Sequence, residues 1–226
     1  MARIAKSAGC EYIILDMEHS GWGFETVKDQ IQFARGAGIV PLVNPPGDDF
    51  NLITRSLDLG AKGILVPVVE TKAQAEAIVR ATRYPPHGRR GSAFGVAHDD
   101  YIIGDARKTM KAANDSVLVM IKIETKKGVQ NVDEIMAVPG VDAFLIGPND
   151  LAYSLIGKRG ARTPEVLAVV DDVCRRLAAA GKRFGMPANW DQLDAFRASG
   201  ATLLYFPIEW LLDRALRELS ARLGLR

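Results

Sequence analysis

The stretch GVDAFLIGPND, residues 140–150, decides the fold. A glycine precedes an apolar run that does not alternate with polar residues, and polar residues follow the run at once. Glycine ends a helix without steric cost, and a continuous apolar run is typical of a strand covered on both faces. The glycine and the run recur in AGCEYIILD (8–16), GAGIVPLVN (36–44), GAKGILVPVV (60–69), GKRFGMPA (181–188) and GATLLYFPIE (200–209). This repetition predicts the helix-to-strand junctions of a parallel sheet.

The run VLVMIKIE, residues 117–124, adds a seventh strand to these six. The predicted strands lie at about 11–19, 39–45, 63–69, 117–124, 143–148, 184–188 and 203–208. Each is followed by a helix or by a loop that leads to one. Seven strand–helix units in alternation predict an α/β fold, a (β/α)₈ TIM barrel formed by one domain over residues 1–226, with its first strand lacking or shortened.

Helix start signals support this alternation. Thr71 with Gln74 forms a capping-box pattern, and TPE at 163–165 combines an N-cap, a proline at the first helical position and an acid in the first turn. Asn189 is predicted to cap a helix that ends at Gly200.

The shortage of one strand lies at the front of the chain. Residues 2–9, ARIAKSAG, already have the pattern of a helix end. Either an upstream strand was lost when Met1 was chosen as the start, which we favour, or the barrel is closed in another way.

Composition excludes several classes of protein. Hydrophobic residues make up 48% and charged residues 25%, the balance of a globular chain. No stretch reaches the roughly 20 apolar residues that cross a bilayer. The first residues do not have the pattern of a signal peptide, so we expect a cytoplasmic protein that does not bind a membrane. The net charge is +2, and the basic run at 87–91 has little aromatic interleaving, which argues against nucleic acid. Cys10 and Cys174 have no metal-binding spacing.

Polar residues collect where three predicted strands end. The first predicted strand ends in Asp16, Glu18 and His19. The fourth ends in KIE at residues 122–124, and the fifth ends in GPND at residues 147–150. In a (β/α)₈ barrel the active site is built at the carboxyl ends of the strands. The sequence therefore predicts a site at the barrel mouth.

Two carboxylates in this set are placed to share a cation. Glu124 and Asp150 end neighbouring strands, which run about 4.8 Å apart, so both can reach one hard divalent ion such as magnesium or manganese. Alternatively, they cap the following helices or pair with Lys122 and arginines. His19 near Asp16 fits a base that is oriented by a carboxylate, or a purely structural pair.

Four motifs resemble the HpcH/HpaI aldolase family: LDMEH (15–19), RYPPHGRRG (83–91), IKIETKKGVQNVDEI (121–135) and VDAFLIGPNDL (141–151). The resemblance implies a (β/α)₈ barrel whose last helix, residues 209–222, packs on a neighbouring subunit in a trimer or hexamer. It also implies a class II aldolase, dependent on Mg²⁺, Mn²⁺ or Co²⁺, that cleaves a 4-hydroxy-2-oxo acid into pyruvate, or a related 2-oxo acid, and an aldehyde.

The same resemblance assigns roles to the residues at the strand ends. Glu124 and Asp150 would be the metal ligands, and His19, steered by Asp16, would govern proton transfer with the 4-hydroxyl group. The backbone N–H groups of Asn149 and Asp150, after Gly147, would receive the substrate carboxylate.

Two positions depart from the family pattern. Asn44, in PLVNPP, stands where members usually carry an arginine that stabilises the enolate, and Lys122, in KIET, stands where they carry a glutamine. Because Lys122 lies two residues before Glu124, it should face the same side of the strand. We expect the cation lost at 44 to reappear at 122. The alternatives are that Lys122 pairs with Glu18 or Asp16, or that it forms a Schiff base.

Other candidates for substrate contact lie in loops. Trp22 is expected to line the aldehyde pocket. Arg90 and Ser92 belong to the long 84–100 loop, which is expected to act as a lid or a subunit contact, or to be a plain surface loop. An apolar stripe on the last helix suits the barrel exterior or a partner subunit; it comprises Trp210, Leu211, Leu212 and Leu216.

Two other functions compete with the aldolase. One is a citryl- or malyl-CoA-type lyase, although no basic patch for the CoA phosphates extends beyond Arg89 and Arg90. The other is a non-catalytic relative that binds a 2-oxo acid.

Overall fold

The computed structural model describes residues 1–160, 162–188 and 190–225. Seven strands form one sheet in chain order, and each pair of neighbours is parallel. The strands are β1 Tyr12–Asp16, β2 Val40–Asn44, β3 Gly63–Val66, β4 Leu118–Ile123, β5 Ala143–Ile146, β6 Arg183–Pro187 and β7 Leu203–Tyr205. All seven predicted strands are confirmed, and each ends one to three residues before its predicted boundary.

Helices connect the strands. They are α1 Ala2–Ser7, α2 Phe24–Gly36, α3 Phe50–Asp58, α4 Lys72–Thr82, α5 Ala106–Ser116, α6 Lys126–Gln130, α7 Val132–Met136, α8 Pro148–Ile156, α9 Pro164–Ala179, α10 Leu193–Ala198 and α11 Ile208–Arg222. The capping box of Thr71 and Gln74 begins α4, and Thr163 caps α9, as predicted. The predicted cap Asn189 lies outside the described residues. No helix of the described chain is long and apolar enough to cross a membrane.

The sheet curls so that its two edge strands approach each other. The Tyr12 hydroxyl on β1 donates a 2.9 Å hydrogen bond to the carbonyl oxygen of Leu204 on β7. The backbone ladders of the described strands run from β1 to β7 and do not join β7 to β1. The fold is therefore an α/β fold with a curled parallel sheet of seven strands. The described strands do not by themselves form the closed eight-stranded barrel that was predicted.

Side chains alternate between the two faces of the curled sheet. Those on the outer face, such as Ile64, Val119 and Phe144, are fully buried in a large core with residues of the helices, including Ile53 and Ile78. Burial of each such apolar side chain contributes about 1.5–3 kcal/mol to the stability of the fold. Those on the inner face form a separate apolar cluster around Leu42, Leu65, Met120, Ala143 and Leu145. The inner cluster supports the polar residues that follow it at the carboxyl ends of the strands.

Candidate active site

The turn after β1 is organised by Asp16. Its Oδ1 accepts hydrogen bonds from the backbone N–H of Glu18 at 2.9 Å and from the side-chain amide of Asn44 on β2 at 2.7 Å. The backbone N–H of His19 donates to the same oxygen at 3.4 Å. Because Asp16 and Asn44 are directly paired in the sheet, the amide fixes the carboxylate at the end of both strands.

Glu18 lies at the centre of the polar cluster. Its Oε2 accepts from the Lys122 ammonium at 2.6 Å and from the Asn44 amide at 3.0 Å. Lys122 is 9% exposed, so this is a largely buried ion pair between β4 and the turn after β1. The structure therefore contains the ion pair of Lys122 with Glu18, which was one of the alternatives considered from sequence.

The His19 ring is not held as the sequence predicted. Its Nε2 lies 3.6 Å from Oε1 of Glu18, and the side chain is 61% exposed. Asp16 contacts the backbone of His19, so Glu18 is the carboxylate beside the imidazole. The turn after β1 therefore brings an exposed imidazole to the rim of the mouth.

Glu124 directly follows β4 and is 4% exposed. Its Oε1 accepts a 2.8 Å hydrogen bond from the backbone N–H of Val68. The pKa of Glu124 is raised, chiefly by burial. The ammonium of Lys122 and the hydrogen bond from Val68 lower this pKa, whereas the negative charges of Glu18 and Asp150 raise it. Glu124 thus lies near two other carboxylates, those of Glu18 and Asp150, and near the ammonium of Lys122.

Val68 adopts an unusual backbone conformation to reach Glu124. Its φ of 54° lies in the left-handed region, which a β-branched residue rarely occupies. Backbone strain of this kind typically costs about 1–3 kcal/mol and is concentrated at functional sites. Here the strained residue directs an N–H group at the buried carboxylate.

Gly147, after β5, makes room for the same carboxylate. A Cβ atom at this position would lie 2.5 Å from Oε2 of Glu124 and 2.7 Å from its Cβ. Gly147 also precedes α8, whose first turn contains Asn149 and Asp150. Any side chain at 147 would therefore displace Glu124.

Asp150 lies at the more open side of the cluster. Its side chain is 44% exposed and its Oδ1 is 3.7 Å from Nε of the exposed Arg159. Because this contact is long and solvent-exposed, it contributes little free energy and leaves the carboxylate available to another cation.

The donor set fits a hard divalent cation. Glu124 and Asp150 supply carboxylate oxygens, which magnesium and manganese prefer, and a cation would offset the burial and the like charges that raise the pKa of Glu124. In the described part of the chain, no group of three or more His, Cys, Asp or Glu side chains is arranged to hold a metal ion.

The sequence profile of the HpcH/HpaI aldolase/citrate lyase family matches residues 1–206. The chain belongs to this family. Its relatives include the hydroxypyruvate/pyruvate aldolase of Deinococcus radiodurans, 38% identical over 97% of this chain and 80% of that protein. The 2-keto-3-deoxy-L-rhamnonate aldolase of Escherichia coli is 37% identical over 83% of this chain and 70% of that protein.

A solved structure agrees with the family assignment. The HpcH/HpaI aldolase/citrate lyase family protein of Burkholderia cenocepacia superposes with a TM-score of 0.91 at 33% identity, covering 99% of this chain and 89% of that one. Family membership, together with the aldolases among its relatives, makes this chain an enzyme with lyase activity.

The structure brings together most of the predicted site residues of this lyase and one that sequence reasoning missed. Asp16, Asn44 and Lys122 share one hydrogen-bonded network, with Glu124 beside it. Tyr205, the last residue of β7, packs on the inner cluster below these groups and was not predicted. The only sequence signal for it was a phenol at the end of an apolar strand, in LLYFP.

Three predicted residues lie apart from the network. Trp22 is 43% exposed in the turn before α2, at the rim of the mouth. Ser92 is exposed in the 84–100 loop. Arg90 is buried, donates from Nη2 to Asp58 at 2.7 Å, and stacks on the Tyr84 ring.

The 84–100 loop lies at the far end of the sheet from the mouth. Asp58 is the last residue of α3, and helices in this fold end where the next strand begins. The same loop contacts Arg35, near the end of α2, through Ala97 and Asp100. The structure therefore does not bring Arg90 or Ser92 to the carboxylates, and the loop does not cover the mouth.

Proposed function

We propose that this enzyme reversibly cleaves a 4-hydroxy-2-oxo acid into pyruvate, or a related 2-oxo acid, and an aldehyde, with a divalent metal ion. The carrying observation is the position of Glu124, buried at the end of β4 against Gly147 and near Asp150. The aldolase names of the relatives support a pyruvate-forming reaction.

Glu124 and Asp150 would hold the metal ion. When bound, Mg²⁺, Mn²⁺ or Co²⁺ supplies a Lewis acid that stabilises the negative charge developing on the pyruvyl group as the C3–C4 bond breaks. The Val68 N–H group orients the Glu124 carboxylate, which packs into the space that the missing side chain of Gly147 leaves. A ligand fixed in this way needs little reorganisation during the reaction.

The substrate carboxylate would bind at the start of α8. The N–H groups of Asn149 and Asp150 lie in the first turn after Gly147, where helix donors have no partner within the helix. Lys122 and Asn44 approach the same region from β4 and β2, and their donors would stabilise negative charge on the enolate. Lys122 would supply the cationic character that the resemblance assigns to an arginine, through its N–H donors other than the one that Glu18 accepts.

His19 would take the proton of the 4-hydroxyl group during cleavage and return it during addition. Its exposed imidazole lies at the mouth, with Glu18 beside Nε2 to stabilise the protonated ring. Asp16 acts indirectly, since it holds the backbone of the turn on which His19 lies. Trp22, at the rim, would contact the aldehyde portion.

We further propose that the curled sheet belongs to a (β/α)₈-type barrel and that the chain assembles into a trimer or hexamer through α11. No side chain of this helix is buried within the described chain. Its exposed apolar residues include Trp210, Leu212, Leu216 and Leu219. An apolar stripe of this kind is typical of a surface covered by a second subunit.

The proposed function is tested by pyruvate release from a panel of 4-hydroxy-2-oxo acids, with metal-stripped protein before and after addition of Mg²⁺, Mn²⁺ or Co²⁺. We expect activity only with added metal, and none in Glu124→Gln. Metal-independent activity that borohydride traps on the protein would instead indicate a Schiff base at Lys122. Silence under every condition would contradict the aldolase assignment.

A further inference from the structure

Tyr205 is a polar residue at the mouth to which the proposed reaction has so far given no role. It ends β7 and is paired in the sheet with Pro187 of β6. Its ring packs against the inner cluster around Leu42, Leu65, Met120 and Leu145, so the side chain lies inside the curled sheet. The ring therefore forms part of the apolar floor beneath the polar residues.

The charges of the candidate site act on the Tyr205 hydroxyl. Burial raises the pKa of Tyr205, and the carboxylates of Glu124, Glu18 and Asp16 raise it further, together with Tyr12. A phenol in this setting keeps its proton at neutral pH, so its O–H group is available as a hydrogen-bond donor. A donor at the carboxyl end of β7, on the inner face of the sheet, is suited to an oxygen atom of the substrate.

Tyr12 provides a contrast within the same interior. It also packs on the inner cluster, from β1, but its hydroxyl donates to the Leu204 carbonyl and joins the two edges of the sheet. Tyr12 therefore has a structural partner. Tyr205 is the tyrosine whose environment is made of the reactive carboxylates.

We infer that Tyr205 is a further catalytic residue, whose hydroxyl donates a hydrogen bond to the C4 oxygen of the substrate. The inference rests on the proposed aldol cleavage. As His19 removes the 4-hydroxyl proton, the C3–C4 electron pair passes to the pyruvyl half and C4 becomes a carbonyl carbon. Tyr205 keeps its own proton throughout and stabilises the negative charge that forms on the C4 oxygen before the bond breaks.

The sheet topology selects the C4 oxygen over the pyruvyl oxygens. The pyruvyl half is assigned to Glu124, Asp150 and the start of α8, which follow β4 and β5. Tyr205 lies on β7, across the Tyr12–Leu204 contact from β1, and β1 leads to Asp16 and His19. β7 thus lies beside the strand that leads to the residues assigned to the 4-hydroxyl proton.

The test compares Tyr205→Phe with Tyr12→Phe, since both substitutions keep the ring and remove one hydroxyl. Two reactions are measured with Mn²⁺ present: cleavage of the best 4-hydroxy-2-oxo acid, and exchange of the pyruvate methyl protons with deuterated water. Exchange requires only the pyruvyl half of the site, whereas cleavage also requires the C4 oxygen. Mn²⁺ affinity by calorimetry and the thermal midpoint report on metal binding and folding.

We expect Tyr205→Phe to lower kcat for cleavage by about 100-fold, the usual effect of removing one donor to a developing oxyanion, with exchange and Mn²⁺ affinity within about twofold of wild type. Tyr12→Phe should leave both reactions near wild type. Equal losses of cleavage and exchange, or no loss of either, would overturn the assignment to the C4 oxygen. A wild-type protein inactive in both reactions would overturn the proposed function, and this inference with it.

Discussion

Lys122 and Asn44 donate to the same carboxylate oxygen. The ammonium of Lys122 lies 2.6 Å, and the amide of Asn44 3.0 Å, from Oε2 of Glu18. The two positions at which the chain is expected from sequence to depart from the family pattern are therefore neighbours inside the sheet, although they are 78 residues apart in the sequence. A lysine at 122 can take over the role of an arginine at 44 only if the two side chains reach the same region. The shared contact with Glu18 meets this condition for the exchange.

Replacement of Lys122 by glutamine tests this exchange. We expect Lys122→Gln to lower kcat/KM for cleavage by about 10–100-fold, because it removes a buried cation from the developing negative charge. Addition of Asn44→Arg to that variant should recover most of the loss. Lys127→Gln is the matched control, since Lys127 pairs with Glu70 on the surface and should be neutral. Full activity of Lys122→Gln would refute the exchange.

Gly147→Ala tests the space that the glycine leaves for Glu124. The new Cβ would lie 2.5 Å from Oε2 of Glu124, so the carboxylate must move. We expect Mn²⁺ affinity, measured by calorimetry, to fall by about tenfold or more, the usual scale for disturbing groups that orient a metal ligand. Gly104→Ala, where a Cβ meets no atom within 4 Å, should bind Mn²⁺ like wild type. Unchanged affinity in Gly147→Ala would argue that Glu124 is not a ligand.

The seven strands were predictable from sequence because both faces of the sheet are covered. Continuous apolar runs after glycine follow directly from that burial, and Asp16, Glu124 and Asp150 were found because they interrupt the pattern at a strand end. The contact between the two edge strands was not predictable, since it joins Tyr12 to Leu204 across 192 residues of the chain.

Side-chain partners within the site were harder to predict. His19 was assigned to Asp16 on the basis of sequence spacing, but in the structure Asp16 bonds to the backbone of the turn, which leaves Glu18 beside the imidazole. Arg90 had the pattern of a loop cation, and only the tertiary fold places it against Asp58 and Tyr84. Asp58 lies 32 residues from Arg90 in the chain, so spacing carries no information about that pair.

Arg90 is expected to stabilise the fold. Its side chain is 1% exposed, bonded to Asp58 and stacked on the Tyr84 ring, so Arg90→Ala should lower the free energy of unfolding by about 3 kcal/mol while KM stays unchanged. Arg89→Ala, which removes an exposed stacking contact with Phe50, should cost less than about 1 kcal/mol. Urea denaturation measures both variants. A large rise of KM in Arg90→Ala with unchanged stability would restore Arg90 to the substrate site.

The exposed stripe of α11 is expected to hold subunits together. Leu216 is 60% exposed, and a charge there would be buried without a partner in an oligomer. Leu216→Glu should therefore shift the mass measured by light scattering toward the monomer at micromolar concentration. Arg217→Gln, on the same helix, changes a side chain that pairs with Asp213 in solvent and should leave the mass unaltered. Identical masses for all three proteins would exclude this face as the contact.

The most direct measurement of the central claim is the metal dependence of pyruvate enolisation. Methyl-proton exchange with deuterated water would be followed by NMR in metal-stripped wild type, in the same protein after addition of Mn²⁺, and in Glu124→Gln with Mn²⁺. The account predicts exchange only in wild type with Mn²⁺. Equal exchange with and without metal, or full exchange in Glu124→Gln, would contradict a metal site at Glu124 and Asp150.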